Sequence, residues 1–372
     1  MRILEFSDIH FLHPRTPTRH IVDNFLHYLH QYDNVPVDLV IIAGDVFDRD
    51  VSFNDRDITD VIGWFFEVAL WCAKKNATLR VLEGTPSHDA AQARHFGEMI
   101  GNARIPVDYR YIDTVMVEKI PHLDLSILYV NDEYHPDTEV TLRDAKAAIK
   151  DANLTQVDIA VMHGCFNYQL PPAASKAPRH NESEYLSLVK HYIFIGHHHT
   201  HSVYDRIIAS GSFDRLSHGQ EEPKGFIDAT IKTGEDSFYF IENEKAMQYL
   251  TLTPRSKTME GVSKEIKRAI STLQMGSFLR LRLPTDHPAS VGFNSLKRDY
   301  EFYYLSKIGM DEDNEGPVRV IEDMDIIQYI PVTITENNII PLILEEAIRR
   351  NPQIDPDKMR DHLGFYIGVK HA

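Results

Sequence analysis

Short runs of apolar residues alternate with longer amphipathic segments in the first part of the chain. The runs at residues 2–7, 38–43 and 78–82 have the length of buried strands. Between them, residues 19–31 and 57–75 carry apolar side chains at helical spacing. Strands that alternate with helices in this way predict a layered α/β domain.

The alternation of strand-like and helix-like segments continues, and the later part of this region contains more of the short apolar runs that are typical of strands. We expect a first domain over residues 1–245, because the β-rich pattern gives way after about that point. The later apolar runs lie at residues 125–130, 157–162, 192–195, 206–209, 225–231 and 237–241.

A second, smaller domain is predicted from a change of periodicity. Residues 259–274 have helical spacing, residues 277–283 alternate like a half-buried strand, and residues 295–308 fit another helix. We therefore expect a small α+β domain over residues 258–335. The remaining residues, 336–372, are predicted to form a tail of two short helices, at 341–350 and 356–363.

Polar motifs follow the apolar runs of the first domain. Metal ligands must come from the ends of rigid elements to hold coordination geometry, so this placement favours a metal site. The motifs are Asp8-Ile9-His10, Gly44-Asp45-Val46-Phe47-Asp48, Ser87-His88-Asp89, His163-Gly164 and Gly196-His197-His198-His199. Each motif alone also fits a structural or chance occurrence, and it is their joint placement that indicates function.

The side chains in these motifs suit divalent cations. Asp8 and His10 are two residues apart, so on an extended chain both point to the same side, and the same holds for His197 and His199. Asp45 follows a glycine, and its carboxylate can bridge two ions. Carboxylate and imidazole donors without sulfur fit Mn²⁺, Fe or Zn²⁺ better than Ca²⁺. Two ions about 3.5–4 Å apart would bind a phosphate and activate water for in-line hydrolysis.

In this order, the motifs resemble those of the calcineurin-like metallophosphoesterase superfamily, over roughly residues 1–243. The resemblance implies a two-sheet β-sandwich flanked by helices, with the site at the carboxyl ends of strands. It implies one metal held by Asp8, His10, Asp45 and His199, and a second held by Asp45, His163 and His197. It also implies that His88 lies near the leaving group and that Asp48 and Asp89 orient the site.

One motif departs from the superfamily pattern. Ser87 stands where the pattern has an asparagine ligand, with two residues inserted after Gly84. A serine hydroxyl is a weaker neutral ligand than an amide oxygen. We take Ser87 as the candidate seventh ligand, with a backbone carbonyl or water as the alternatives, and expect a looser second metal.

Within the superfamily, the chain is most similar to SbcD-type DNA repair nucleases, including their phage relatives. The segments that carry this likeness are Ser210-Gly211-Ser212 and Pro223-Lys224-Gly225-Phe226, together with the appended domain and tail. The likeness implies an Mn²⁺-dependent nuclease subunit that acts as a 3′-to-5′ exonuclease on double-stranded ends and an endonuclease on single-stranded DNA. Mg²⁺, Fe and Zn²⁺ stay open as alternative metals.

The SbcD-type likeness also implies partners. The appended domain, residues 258–335, would cap the site and help to hold DNA. An SbcC-type ATPase with long coiled coils would dock on the helical tail. A homodimer would form through the helices that follow the second and third motifs, here residues 57–75 and 89–100. The first of these helices is apolar enough that the alternative, a well-buried core helix, stays open.

The bulk composition limits how the chain could hold DNA. Its net charge is −16, so any DNA contact needs a local basic patch, bound cations or a partner. Arg15 and Arg49 are candidate DNA contacts, although Arg49 could equally pair with the acidic residues that follow it.

Other features of the sequence bear on the cellular location of the protein. The chain has only two cysteines, Cys72 and Cys165, and no apolar stretch of the roughly 18 residues that a membrane helix needs. The N-terminus lacks the pattern of a secretory signal. We expect a cytoplasmic protein without a membrane partner, in a bacterial host if the chain is phage-encoded.

Two other functions compete with a nuclease. One is a phosphomonoesterase or cyclic-nucleotide phosphodiesterase that acts on small molecules, which would have no need of the C-terminal residues. The other is a scaffold subunit whose catalysis is weakened at Ser87.

Overall fold

The computed structural model describes residues 1–52, 54–171, 177–232 and 234–310. The strands within them are β1 (Arg2–Phe6), β2 (Leu39–Ala43), β3 (Thr78–Leu82), β4 (Tyr109–Ile112), β5 (Met116–Ile120), β6 (Leu125–Val130), β7 (Ile159–His163), β8 (Ile193–Gly196), β9 (Ser202–Tyr204), β10 (Ile207–Ala209), β11 (Gly225–Thr230), β12 (Ser237–Glu242), β13 (Tyr249–Leu252), β14 (Phe278–Leu283) and β15 (Tyr304–Gly309).

The α-helices are α1 (Thr18–His30), α2 (Ile58–Lys75), α3 (Pro86–Asp89), α4 (His95–Ala103), α5 (Thr138–Asp151), α6 (Glu182–Leu186), α7 (Met259–Ile270), α8 (Pro288–Val291) and α9 (Phe293–Asp299). The predicted helical tail, residues 336–372, lies outside the described residues, as does the end of the predicted α+β domain. None of the helices in the described part of the chain is long and apolar enough to cross a membrane.

Two six-stranded sheets form the body of the protein. The first has the order β12-β11-β1-β2-β3-β4 and the second the order β5-β6-β7-β8-β10-β9. Strands β1 to β4 run parallel, as do β6, β7, β8 and β10, and the other strands pair antiparallel. The predicted fold class, an α/β protein with two sheets flanked by helices, is confirmed.

The alternation of side chains along each strand explains the layers. Ile3 and Ile41 from the first sheet meet Phe194 from the second in a core between the sheets. Their neighbours point outward: Leu4 packs in the core that contains the buried faces of α1 and α2, and Ile195 in the core that contains that of α5. Central strands are buried on both faces, which is why their sequences are continuous apolar runs.

A small sheet of β13, β14 and β15, all parallel, follows the two large ones. It begins at Tyr249, before the expected boundary at residue 258. The helix predicted over residues 295–308 is wrong in its second half, because α9 ends at Asp299 and β15 follows. Leu305 is buried between the exposed Tyr304 and Ser306, and residues 304–309 pair in parallel with β14.

The two helices predicted to form a dimer differ in outcome. Residues 57–75 do form a helix, α2, and its Val61, Trp64 and Phe65 are buried in the protein's own core. The second helix, predicted over residues 89–100, is interrupted. Ala90 and Ala91 have φ angles of 43° and 56°, which separate the short α3 from α4.

Replacing Phe194 with alanine should lower the free energy of unfolding by about 3–5 kcal/mol, because it opens a cavity between the two large sheets. Chemical denaturation measures the change. Phe302→Ala is the matched control: that side chain is 66% exposed, so its loss should cost no more than about 0.5 kcal/mol. Equal effects of the two substitutions would contradict the two-sheet core.

Candidate metal centre

The predicted ligands meet where the parallel strands of both large sheets end. Asp8 follows β1 and Asp45 follows β2 in the first sheet, while His163 ends β7 and His197 follows β8 in the second. Parallel strands bring their carboxyl ends to one edge of a sheet, and the two edges face each other here. The structure therefore brings together side chains as far apart in sequence as Asp8 and His197, which are 189 residues apart.

Within the described residues, the donor atoms form groups that could hold two metal ions. The atoms of each group lie within 4.8 Å of one another. The groups are Asp8 with His10 and His199, Asp45 with His163 and His197, and His10 with Asp45 and His88.

Asp45 connects these groups. Its Oδ2 lies 3.3 Å from His163 Nε2, 3.1 Å from His88 Nδ1 and 3.6 Å from His10 Nε2. Burial acts to raise the pKa of Asp45, but His163, His88 and His10 outweigh it and hold that pKa well below its usual range. Asp45 is thus an ionised carboxylate placed between the two groups.

Four of the candidate ligands have strained backbones. The φ angles are 50° for Asp8, 52° for His10, 51° for Asp45 and 97° for His197. A positive φ is unfavourable for residues other than glycine and persists only where the surrounding structure imposes it. Such strain concentrates at functional sites, so this observation supports the site independently of the residue types.

At two glycines of the motifs, neighbouring atoms lie too close to leave room for a Cβ atom. Gly44 has a φ of 91°, and a Cβ atom there would lie 2.2 Å from His163 Nδ1. A Cβ atom at Gly196 would lie 2.4 Å from the carbonyl oxygen of Ala43. Any side chain at either position would push the two sheets apart at the site.

His163 is set up to bind a cation. Its Nδ1 lies 2.7 Å from the carbonyl oxygen of Ala43 and donates to it, which leaves Nε2 as the nitrogen with a lone pair. That Nε2 atom is buried and has no hydrogen-bond partner in the described structure. Burial acts to lower the pKa of His163, but the charge of Asp45 raises it to about 10. The same negative potential that attracts a proton would attract a metal ion.

His199 is held as a neutral imidazole. Burial lowers its pKa well below the ordinary value, and the positive charges of His10 and Lys224 add to this effect. The fully buried Lys224 donates from Nζ to the carbonyl oxygen of His199 at 2.7 Å, and Gln220 Nε2 lies 3.1 Å from His199 Nδ1. Lys224 and Gln220 therefore position this ligand.

The Ser210-Gly211-Ser212 segment contributes to the hydrogen bonds that orient another ligand, Asp8. Ser7 Oγ donates to Asp8 Oδ2 at 2.5 Å and lies 2.9 Å from Ser210 Oγ. The backbone N–H of His197 also donates to Asp8, at 2.9 Å. These contacts fix the orientation of the Asp8 carboxylate.

Asp89 and Asp48 lie beside the ligands. The Asp89 carboxylate accepts hydrogen bonds from the backbone N–H groups of Asp45, Phe47 and Gly84, at 2.8–3.1 Å. Burial raises the pKa of Asp89 to about 7, and the charge of Asp45 contributes. Asp48 Oδ1 lies 3.3 Å from His10 Nδ1. Both carboxylates thus contact ligands or their loops, in keeping with an orienting role.

The structure places Thr85, not Ser87, beside the second group of ligands. Ser87 is exposed on α3, whereas Thr85 Oγ1 lies 3.2 Å from His197 Nδ1 and 3.4 Å from Asp45 Oδ2. The Thr85 N–H also donates to Asp45 at 2.6 Å, which turns the loop so that its hydroxyl faces inward. We therefore replace Ser87 with Thr85 as the candidate neutral ligand.

Asp132 is a further carboxylate that the sequence analysis missed. Its Oδ2 lies 3.0 Å from Thr85 Oγ1 and 3.5 Å from His197 Nδ1. It follows β6, the parallel neighbour of β7, so its position after an apolar run was the available signal.

The two candidate DNA contacts differ in their surroundings. Both guanidinium groups are exposed, but Arg49 forms two hydrogen bonds to Asp55, at 2.8 and 3.1 Å. This ion pair is the alternative that the sequence left open, and we no longer propose Arg49 as a DNA contact. Arg15 lies in the loop that begins at His10.

Comparison with known proteins adds little to this geometry. No protein-family model and no curated protein matches the sequence. A solved dimetal phosphatase from Danio rerio is 11% identical, with a TM-score of 0.41, and the match covers 65% of this chain and 96% of that one. Another solved structure is 10% identical, with a TM-score of 0.42 over 65% of this chain and 99% of that one.

Replacing Thr85 with valine should weaken the second metal by about 10–100-fold, because valine keeps the shape but removes the hydroxyl. Titration calorimetry with Mn²⁺ measures the two sites. Ser87→Ala is the matched control and should leave both affinities unchanged. The opposite result, a loss in Ser87→Ala alone, would restore Ser87 as the ligand.

Proposed function

We propose that the protein is a metal-dependent phosphodiesterase that cuts DNA. The observation that carries this proposal is the position of Asp45, an ionised carboxylate between two groups of metal donors with His88 beside it. Two adjacent cations serve phosphatases, polymerases and nucleases as well as aminopeptidases, and phosphoryl transfer is the reaction that most of these classes share.

The residues of the chain divide into those that would hold the ions and those that would act on the substrate. Asp8, His10 and His199 would hold one ion. Asp45, His163 and His197, with Thr85, would hold the other. When bound, the two ions would neutralise phosphate charge and lower the pKa of a water nucleophile. The donor set favours Mn²⁺, with Mg²⁺, Fe and Zn²⁺ as alternatives.

His88 is the candidate proton donor to the leaving oxygen. Its side chain is 14% exposed, so one edge of the ring is accessible from the site while Nδ1 stays near Asp45. A hydrogen bond from Nδ1 to the Asp45 carboxylate would orient the ring, so that Nε2 carries out proton transfer. Asp89 would act only by holding the loops of Asp45 and Gly84 in place.

DNA is favoured over a small molecule by a basic surface next to the site. Arg280 and Arg282 lie on one face of the small sheet, and Thr16 Oγ1 contacts Tyr249 OH of that sheet at 2.8 Å. Thr16 lies in the loop that begins at the ligand His10 and contains Arg15. These arginines give an acidic chain the local positive charge that phosphate binding needs.

The proposed nuclease activities and partner follow from the likeness to SbcD-type nucleases. We propose 3′-to-5′ exonuclease activity on duplex ends, endonuclease activity on single strands, and control by an SbcC-type ATPase that binds residues 336–372. We also keep the proposal of a homodimer, now through α2 and α4. Leu70 of α2 is half exposed and is the apolar residue on that helix most available to a second copy.

The purified protein should release nucleotides from linear DNA in Mn²⁺ and not in chelator. Asp45→Ala should abolish release because both ions lose a shared ligand, and His88→Ala should reduce it by about 10²–10⁴-fold. Quantified gel assays on duplex and single-stranded DNA measure these rates. His95→Ala, an exposed histidine on α4, serves as the matched control and should keep wild-type activity.

Other outcomes would favour the competing functions. Hydrolysis of p-nitrophenyl phosphate without any DNA cleavage, alone or with an ATPase partner, would indicate a small-molecule esterase. DNA binding without hydrolysis of any phosphoester would indicate a scaffold subunit. Full activity in Asp45→Ala would contradict the proposed centre altogether.

A further inference from the structure

Three aromatic rings form a stacked row across the small sheet. Tyr249, Phe278 and Tyr304 are paired in register on β13, β14 and β15. The first two ring centroids are 4.6 Å apart at 9°, and the second two are 4.4 Å apart at 15°. Near-parallel rings on three neighbouring strands make one continuous aromatic surface.

This row lies on the side of the sheet opposite the small hydrophobic core. Along β14, Leu279, Leu281 and Leu283 are buried in that core with helix α7. The alternate residues, Phe278, Arg280 and Arg282, are therefore on the other face. That face combines aromatic rings with two arginines, which lie two and four residues after Phe278 on β14.

The inner end of the row touches the loops of the metal centre. Tyr249 OH lies 2.8 Å from Thr16 Oγ1, six residues after the ligand His10. The ring of His218 packs edge-on against Tyr249 at 5.0 Å, two residues before Gln220, which contacts His199. The aromatic row thus begins at the loop that carries the ligand His10 and at the loop whose Gln220 contacts the ligand His199.

The outer end of the row is accessible. Tyr304 is 52% exposed, and β15 is the last strand of this sheet within residues 1–310. Phe278 covers one face of the Tyr304 ring, so the accessible part continues the row outward. A planar, unpaired base would extend the stack by one more ring.

Positive charge accompanies the row. Burial lowers the pKa of His218 to about 4, and the charges of Arg280 and Arg15 add to this effect. Arg280 also donates from Nε to Thr251 Oγ1 on the neighbouring strand, at 3.3 Å. Aromatic rings beside arginines are the combination that holds bases and phosphates of single strands.

We propose that this face binds single-stranded DNA, with a base stacked on Tyr304 and the backbone running past Arg280 and Arg282 toward the metal centre. This inference rests on the proposed function, because the bound strand would be the substrate of that centre. It adds a specific requirement, which is that the bases at this face be unpaired.

Binding is best measured by fluorescence anisotropy with a labelled oligothymidine of about 15 nucleotides and a blunt duplex. The full-length protein is used in chelator, so that no strand is cut. Tyr304→Leu keeps apolar bulk but loses the aromatic ring, whereas Tyr304→Phe keeps the ring. Tyr239→Leu, an exposed tyrosine on β12, is the matched control.

Tyr304→Leu should weaken oligothymidine binding about tenfold and leave duplex binding unchanged, because only unpaired bases can stack. Tyr304→Phe and Tyr239→Leu should bind as the wild type does.

Arg280→Gln should weaken the binding of both the oligothymidine and the duplex. It should also reduce the salt dependence of binding, because one phosphate contact is lost.

Two results would overturn the proposal. Unchanged oligothymidine affinity in Tyr304→Leu would rule out the stacking contact, whether or not the variant melts at a lower temperature. An equal loss of affinity for the duplex would show that unpaired bases are not recognised. Hydrolysis of bis(p-nitrophenyl) phosphate in Mn²⁺, measured in parallel, reports on the metal centre independently and separates the two failures.

Discussion

The buried carboxylate of Asp45 is the constraint on which the rest of the site depends. A carboxylate removed from water is unfavourable unless positive charge compensates it. Histidines from both sheets surround it, and the Nε2 atom of His163 points into the site without a hydrogen-bond partner among the described residues. The positive φ angles, the close glycines and the three amides on Asp89 all serve to hold this charge between two groups of donors.

The ligands were predictable from the sequence because each lies at the end of a strand or just after it. A strand that is buried on both faces reads as an apolar run, and a polar residue directly after it must lie at the sheet edge. Asp8, Asp45 and His163 follow this rule. Their meeting in space then follows from the parallel order of the strands, which the family resemblance supplied.

The errors came from places where backbone turns decide the outcome. Thr85 replaces Ser87 because its own N–H bonds to Asp45 and turns the loop early, which no spacing rule reveals. Asp132 belongs to no motif, and although it follows an apolar run, its proximity to His197 becomes apparent only once β6 is placed beside β7. Residues 304–309 form a strand because β14 offers a partner, and a short amphipathic segment is ambiguous without that partner.

The distribution of charge also has a structural logic. A net charge of −16 would repel DNA over most of the surface. The arginines next to the loops of the metal centre, with bound cations, would concentrate attraction at one place. An acidic chain of this kind can hold a nucleic acid only where it also processes it, or where a partner adds further contacts.

The most direct test is electron paramagnetic resonance of the protein with two equivalents of Mn²⁺. Two ions that share the Asp45 carboxylate should be exchange-coupled and give the narrowed hyperfine spacing of a dinuclear centre. Asp45→Asn should abolish that coupled signal. Two bound ions that give only the spectrum of isolated Mn²⁺ in the wild type would contradict the shared-carboxylate centre.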